Sequence, residues 1–294
     1  MTGGMSILSA HEPAAGGGSG TVTSVALSVP AEFSVSGSPV TSAGTLAVSK
    51  ANQSANLVFA GPSSGGAAAP GFRSLVAGDL PTIAGRWIKR TIYTTGSGTH
   101  TPDAACVTMD VHALGAGGGG AGASSGAAAS SSGGGGCSGG YSRKRITVSG
   151  TYSYAVGAAA SAASAGSNGT AGGDTTFGSL TAKGGNGGTA MASGSTVLRQ
   201  AGGAATSGTT GGDINIEGGP GEAGKRNSAT VHDGGNGADA PMGLGLGGVG
   251  GFSANGGNAT GYGAGGGGAD IAGAAGSKTG GVATGGLIIV DEYT

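Results

Sequence analysis

The sequence has few charged residues and few large side chains of any kind. Only 9% of its 294 residues are charged and 4% are aromatic, while Leu, Ile, Val and Phe together number 44. An ordinary domain offsets its chain entropy by burying such side chains, at about 25 cal/mol per Å². Most of this chain therefore cannot fold around a continuous side-chain core.

The chain also has almost no net charge, which argues against intrinsic disorder and against nucleic-acid partners. The formal net charge is −1, from 13 basic and 14 acidic residues. Disordered chains combine low hydrophobicity with high net charge, so half of that signature is absent. A neutral chain without clustered Lys and Arg has no general attraction to phosphate backbones, and we expect no nucleic-acid partner.

Long apolar runs and a secretory leader are absent as well. No stretch approaches the roughly 18 apolar residues of a membrane span, and the start, MTGGMSILSAHEP, has no basic or apolar segment. We therefore expect synthesis in the cytosol and no embedding in a membrane. In that setting the two cysteines, Cys106 and Cys137, are expected to be free thiols.

Glycine is what the sequence has in abundance, with 73 residues. Each interior glycine costs a helix about 1 kcal/mol relative to alanine, so we expect almost no long helix. Runs such as GLGLGGVGGFSANGG lack a Gly-X-Y repeat, which excludes collagen. Glycine does allow extended segments of the polyproline II type to stack through backbone contacts. The predicted fold class is all-β and extended glycine-rich.

Composition divides the chain into a polar lead at residues 1–20, a β-rich part at 21–84 and a glycine-rich part at 85–294. The second part begins TVTSVALSVPAEFSVSGSPVTSAGTLAVSK, whose β-branched residues between Pro and Gly predict short strands. NLVFAGPSSGGAAAPGFRSLVAGDLP follows, and its Gly-Pro and Pro-Gly pairs predict turns and an extended connector.

The third part contains strands separated by long runs of Gly, Ala, Ser and Asn. In AACVTMDVHALGAGGGG, alternation places Val107, Met109, Val111 and Ala113 on one face of a strand, with His112 on the polar face. Further strands are predicted in RKRITVSG, TYSYAVGA, TTFGSLTAKGG, DINIEGG and the closing GLIIVDEYT.

Two of these stretches resemble bacteriophage tail fibre proteins. GTVTSVALSVPAEFSVSGSPVTSAGTLAVSK with NLVFAGPSSGGAAAPGFRSLVAGDLP resembles a module common in them, and the region from Arg86-Trp87 through AACVTMDVHALGAGGGG to GLIIVDEYT is similar to their glycine-rich distal domain. The resemblance implies an intertwined homotrimer whose glycine-rich tip binds a bacterial surface receptor. That receptor would be lipopolysaccharide, an outer-membrane protein or a pilus.

The same resemblance assigns roles to the three parts and a place in the virion tail. Residues 1–20 would attach to tail or baseplate proteins, residues 21–84 would form a stalk module and connector, and residues 85–294 would bind the receptor. Tail fibres of this kind are often longer, and only about 20 residues precede the β-rich part. The chain could instead be one link of a longer fibre.

Aromatic and long apolar residues in the glycine-rich loops are candidates for receptor contact. They have no deep core to enter, and they stack well on sugars and protein surfaces. The predicted receptor-binding residues are Arg226, His232, Met242, Leu244, Leu246, Phe252 and Tyr262. The alternative is that the apolar ones form a small cluster that holds the glycine layers together.

Motifs for cofactors and metals are incomplete, and we expect neither. Gly115, Gly117 and Gly120 satisfy G-x-G-x-x-G after a strand, but no amphipathic helix follows. The glycine runs before Asp239 and Asp270 echo the calcium-binding β-roll repeat, without its apolar residue two places on and without tandem repetition. Glycine turns with a solvated Asp are the expected structure there.

Nothing in the sequence nominates catalytic residues, so we expect a protein that is not an enzyme. The histidines are scattered and no G-x-S-x-G elbow is present. Two alternatives stay open: a polysaccharide depolymerase with paired carboxylates, and a structural or matrix protein without a receptor. The run Arg143-Lys144-Arg145 predicts either a charged strand edge or attraction to phosphorylated surface sugars.

Overall fold

The computed structural model describes residues 22–80, 84–273 and 275–294. The predicted attachment lead, residues 1–20, lies outside the described residues. The chain divides into two units, Met1–Pro81 and Thr82–Thr294. Nearly all regular structure is β, and α-helix is absent from the described ranges, as predicted. Accordingly, no described helix has the length and apolarity to cross a bilayer.

The first unit contains two antiparallel hairpins and a short 3-10 turn, Ala77–Asp79. Its strands are β1 (Phe33–Ser36), β2 (Ala47–Lys50), β3 (Leu57–Ala60) and β4 (Gly71–Ser74). Strands were predicted for the first hairpin, whereas the second lies where an extended connector was expected. No side chain between residues 22 and 80 is buried.

An ion pair links the second hairpin to the 3-10 turn that follows it. The Arg73 guanidinium donates to both carboxylate oxygens of Asp79, at 2.7 and 2.6 Å, and its Nε donates to the Gly61 carbonyl at 2.6 Å. The hydrogen bond from Arg73 lowers the pKa of Asp79 to about 2. These contacts hold β4 against the turns on either side of it.

The second unit begins and ends in a β-sandwich. Its remaining strands are β5 (Trp87–Tyr93), β6 (Ser97–His100), β7 (Thr108–Leu114), β8 (Ala123–Ser125), β9 (Ser131–Ser132), β10 (Tyr141–Thr147), β11 (Tyr152–Ala155), β12 (Thr175–Phe177), β13 (Leu180–Ala182), β14 (Leu198–Gln200), β15 (Ile214–Ile216), β16 (Gly224–Arg226), β17 (His232–Asp233), β18 (Gly245–Leu246), β19 (Thr260–Gly261), β20 (Asp270–Ile271), β21 (Gly276–Lys278) and β22 (Leu287–Tyr293). A second 3-10 turn is Pro241–Gly243.

The sandwich packs a five-stranded sheet, in the order β15-β10-β7-β22-β5, on a four-stranded sheet, β13-β12-β11-β6. The predicted alternation in β7 is confirmed for Met109, Val111 and Ala113, which are fully buried. Met109 and Val111 pack with Phe177 and Leu180 from the other sheet, whereas Val107, predicted on the same face, precedes β7 and is exposed. The chain terminus closes this core, because β22 is paired on both sides, with β5 and β7.

Between the strands the chain runs back and forth through a lattice of extended glycine-rich segments. The segments are residues 115–122, 133–140, 157–164, 167–173, 183–189, 201–206, 218–223, 234–239, 247–251, 255–259, 263–269 and 279–286. Almost all of their backbone hydrogen bonds join one segment to another rather than one residue to the next turn.

The hydrogen bonds of segment 115–122 repeat every three residues. The amides of residues 115, 118 and 121 donate to segment 133–140, those of 116, 119 and 122 to segment 167–173, and those of 117 and 120 to segment 279–286. Segments 157–164, 183–189 and 263–269 donate back to it. Three residues per turn with all bonds to neighbours is the packing of polyproline II helices stripped of side chains.

Close approach is the reason this lattice requires glycine. Segments 115–122, 133–140 and 263–269 are buried at every residue. A Cβ added to Gly117 or Gly120 would lie closer than 3.0 Å to a backbone carbonyl of segment 263–269, a separation that real Cβ atoms essentially never have. Backbone atoms therefore occupy the space that side chains fill in an ordinary core.

At the rim of the lattice, side-chain oxygens replace the missing neighbour. The amide of Ala190 donates to Asn168 at 2.8 Å, that of Gly250 to Asn236 at 2.7 Å, and that of Val282 to Asn258 at 2.9 Å. Each Asn Oδ1 stands where a carbonyl of a further segment would be. This satisfies outward N–H groups that would otherwise lack a partner within the protein.

Candidate functional site

Every second connection between glycine segments lies at the end opposite the sandwich. We call this end the tip and define it by six loops: residues 123–132, 165–168, 190–200, 224–233, 251–255 and the described part of the last loop, 270–273 with 275–279. At about 3.1 Å per residue, a segment of eight residues such as 115–122 separates the tip from the sandwich by roughly 25 Å. The tip is thus a set of loops presented by a hydrogen-bonded scaffold.

A buried polar network joins four of these loops. Asp270 is fully buried rather than solvated as expected, and its carboxylate forms a short hydrogen bond with Nδ1 of His232. The Ser132 hydroxyl donates to Asp270 at 2.8 Å and the Ser253 amide donates at 2.9 Å. Phe252 stacks on the His232 ring, with the ring centroids 5.9 Å apart.

Arg226 fastens the tip from inside. Its side chain is buried, its Nε donates to the Thr196 carbonyl at 2.7 Å, and its Nη1 donates to the carbonyls of Ser130 and Ala192 at 2.9 and 2.7 Å. Arg226 and His232 were predicted to contact a receptor; both are buried, and their side chains form hydrogen bonds with other loops of the tip. Phe252, by contrast, is 71% exposed.

The exposed surface of the tip is part apolar and part basic. Val197 is 71% exposed, and Leu198 and Val231 are also exposed. In the sheet β14-β16-β17, Arg199 lies directly opposite Lys225. None of these residues was predicted as a site residue, because their proximity follows from strand register and loop packing.

The remaining predicted residues lie near the sandwich, away from the tip. Leu244 packs against the cluster of Leu114, Tyr141 and Leu287. A cavity of about 230 Å³ opens there, lined by Leu244, Met242, Tyr141, Leu287 and others. Leu246 is in β18, where it pairs with Thr260 of β19, and Tyr262 directly follows β19. Apart from Leu244, the structure leaves Met242 and Leu246 exposed and Tyr262 at 36% exposure.

The seven predicted residues therefore form two groups. Arg226, His232 and Phe252 meet at the tip, whereas the other four lie at the sandwich end. Leu244 agrees with the alternative prediction, in which the apolar residues form a cluster that holds the glycine layers together. Phe252 and Tyr262 are ten residues apart in sequence, but segment 255–259 runs between them from the tip to the sandwich, so they lie at opposite ends of the lattice.

Carboxylates on the outer face of the five-stranded sheet are each held by an arginine. Asp110 and Asp291 are cross-strand neighbours. Arg143 binds Asp110 through two hydrogen bonds, and Arg90 binds Asp291 through two at 2.8 Å. These bonds lower the pKa of both carboxyl groups. Such a pair is poorly suited to the general acid step of a glycosidase, which requires a raised pKa.

The run Arg143-Lys144-Arg145 is only partly a strand edge. Arg143 lies where β10 is paired with both β7 and β15, whereas pairing with β15 ends before Lys144 and Arg145. The Arg145 guanidinium lies over the Tyr293 ring, 5.4 Å from its centroid. The edge prediction therefore describes Lys144 and Arg145 but not Arg143.

A cluster of charged and polar side chains surrounds Glu292 in the sandwich core. Glu292 is fully buried, with Lys89 Nζ at 3.3 Å and His100 Nε2 at 3.4 Å from its Oε1. The Asp103 amide donates to Oε2 at 2.6 Å, and the Tyr93 hydroxyl lies 2.9 Å from His100 Nδ1. Burial lowers the pKa of His100. The cluster ties the closing strand to β5 and β6.

The cofactor-like motifs are parts of the lattice. Gly115, Gly117 and Gly120 are enclosed by backbone carbonyls, which leaves no room for a phosphate beside them. Asp239 accepts a hydrogen bond from the Gly247 amide at 2.7 Å. Among the described residues, no group of three or more His, Cys, Asp or Glu side chains is placed to hold a metal ion. Cys106 and Cys137 are free and buried, as predicted.

Comparison with known proteins gives one family. The family model described as a glycine-rich domain matches residues 91–293, which covers the lattice, the tip and all of the sandwich strands except the first part of β5. No curated protein matches the chain.

Proposed function

We propose that this chain, which belongs to the glycine-rich domain family, is the receptor-binding end of a phage tail fibre, which attaches the virion to a bacterial surface without covalent chemistry. The observation that carries the proposal is the tip. Six loops are fixed by backbone hydrogen bonds and a buried network, and they expose Phe252, Val197 and Val231. Preorganised loops lose little entropy on binding, which favours recognition.

Assembly of several copies is part of the proposal. The first unit has two hairpins without a buried side chain, and isolated two-stranded hairpins are marginally stable. Exposed residues such as Phe33, Val48 and Phe59 would become buried between copies of the same unit. An intertwined homotrimer, with its N-terminal end on tail or baseplate proteins, would also multiply weak contacts at the tips.

Binding of the labelled full chain to host cells tests the receptor role. Phe252→Ser removes an exposed tip aromatic, and Tyr262→Ser is the matched change at the sandwich end. We expect Phe252→Ser to weaken adsorption and Tyr262→Ser to leave it unchanged. Equal effects, or no adsorption by the unaltered chain, would contradict the proposal. Light scattering on the same samples reads the number of copies, and a monomer would contradict the assembly.

A further inference from the structure

The tip is net positive although the whole chain is nearly neutral. Its positive side chains are Arg199, Lys225, Arg226 and Lys278, and its negative ones are Asp233 and Asp270. Four cations thus stand against two carboxylates, an excess of two. One of the carboxylates, Asp270, is already engaged by His232 inside the loops.

Two of these cations are placed side by side. Arg199 in β14 is the direct partner of Lys225 in β16, so their Cβ atoms are about 4.5–5.5 Å apart. Like charges directly opposite each other destabilise a sheet. Within the described residues, neither side chain forms an ion pair or a hydrogen bond, even though Asp233 is the next partner of Lys225. Asp233 lies on the same face beside Lys225, so this face carries two cations against one carboxylate and keeps a net positive charge.

A third cation lies beneath them. Arg226 follows Lys225 in β16 and points to the buried face, where all of its hydrogen bonds go to backbone carbonyls. No carboxylate is within ion-pair distance of its guanidinium among the described residues. Its charge adds to the field of Arg199 and Lys225 above it.

We propose that the face formed by Arg199 and Lys225 binds a phosphate monoester carried by a glycan of the bacterial envelope. A phosphate monoester carries nearly two negative charges and three strong acceptor oxygens, which suits the guanidinium fork with a neighbouring ammonium. This inference rests on the proposed receptor role and names the chemistry that the tip recognises.

The basic run Arg143-Lys144-Arg145 in the sandwich is less suited to bind phosphate. Arg143 is neutralised by Asp110, and Arg145 lies over the Tyr293 ring. Lys144 alone is left without such a contact. The structure therefore favours the tip over the sandwich for phosphate, and the run provides a matched control.

The test measures binding of the full chain to immobilised envelope glycans by interferometry. The probes are rough lipopolysaccharide with core phosphate monoesters, the same material after chemical removal of phosphate, and wall teichoic acid, whose phosphodiesters carry one charge each and should bind more weakly than the monoesters. Arg199→Ser/Lys225→Ser is compared with Lys144→Ser/Arg145→Ser. We expect the tip variant to bind a phosphorylated probe roughly tenfold or more weakly, because two charge-assisted contacts are lost. The control should bind as the unaltered chain does.

Added inorganic phosphate should compete with the unaltered chain, and Arg199→Glu should weaken binding further than Arg199→Ser. Circular dichroism shows that the variants are folded. Equal affinity for the phosphorylated and dephosphorylated probes, or equal losses in both variants, would overturn the inference. Adsorption to whole cells is scored separately: cells bound without phosphate dependence would overturn this site while leaving the receptor role in place.

Discussion

The sandwich and the glycine lattice belong to one unit but are held together by different atoms. The sandwich buries Met109, Phe177, Leu180 and Ile288 between two sheets. The lattice buries segments such as 115–122, in which the only side chains are alanine methyl groups. The sandwich is stabilised by apolar area removed from water, and the lattice by backbone hydrogen bonds and close packing of main-chain atoms.

This difference shows why a scarcity of large side chains need not mean disorder. In segment 115–122 every N–H donates to a carbonyl of one of three neighbouring segments, so the structure there is specified by main-chain geometry. The cost is an intolerance of any Cβ at the glycine positions. Mutations should therefore have opposite patterns in the two regions: removal of atoms harms the sandwich, and addition of atoms harms the lattice.

The largest effect is expected from one added methyl group. In Gly120→Ala the Cβ would meet the Gly267 carbonyl and the adjoining Gly266 carbonyl, and segments 115–122 and 263–269 would have to move apart. We expect a cost above about 5 kcal/mol, enough to unfold an ordinary domain, because no flexible side chain can yield. Thermal unfolding followed by circular dichroism measures it.

Gly126→Ala is the control for that substitution. Gly126 lies in a tip loop with nothing within 4 Å of its added Cβ, and its φ is not positive. Its stability should change by no more than about 0.5 kcal/mol. If both alanines were tolerated equally, close main-chain packing would not be what holds the lattice.

Removal of atoms from the sandwich is the next largest change. Phe177 is fully buried between the sheets and stacks on Tyr152, with centroids 5.6 Å apart. Phe177→Ala should cost about 3–5 kcal/mol through lost burial and the cavity left behind. Urea unfolding of the full chain measures this. A cost below that of a surface substitution would mean that the lattice alone stabilises the unit.

The sequence predicted these regions unequally, for physical reasons. Alternation in β7 and the apolar run of β22 are local signals, so both strands were found. Close glycine packing was also foreseen, because few other structures tolerate such runs. The sequence did not predict which segments become neighbours. Gly134 and Gly281 both accept hydrogen bonds from segment 115–122, but nothing in the sequence around them distinguishes them from the other glycines.

The candidate site was only partly predictable for the same reason. Phe252 was identified because an apolar residue in a glycine loop has no core to enter. Tyr262 looked equivalent, but one glycine segment between them carries it to the other end of the unit. The proximity of Arg199 and Lys225 depends on the register of β14 with β16, which no local pattern encodes.

The rim of the lattice should respond less strongly than its centre. Asn258→Ala removes the oxygen that accepts the Val282 amide at 2.9 Å. We expect a loss of about 1 kcal/mol, because water can partly replace the acceptor at the surface. Asn258→Asp keeps an acceptor oxygen and should restore most of the stability in urea unfolding. Equal losses in the two variants would show that the oxygen does not stand in for a lattice carbonyl.

The smallest effect concerns pH and is expected from two histidines of the sandwich. Burial lowers the pKa of both His100 and His112. The unfolded chain then binds more protons than the folded one at pH values below the ordinary histidine pKa of about 6.5, so stability is full above that pH and falls as the pH decreases through it. The central segments 115–122, 133–140 and 263–269 contain no histidine or carboxylate, so their contribution should stay constant. Urea unfolding of the full chain between about pH 7.5 and 5 should show this decline, and His112→Gln should reduce its slope. A slope unchanged by that substitution would place the pH-sensitive group outside the face where His112 meets Tyr141.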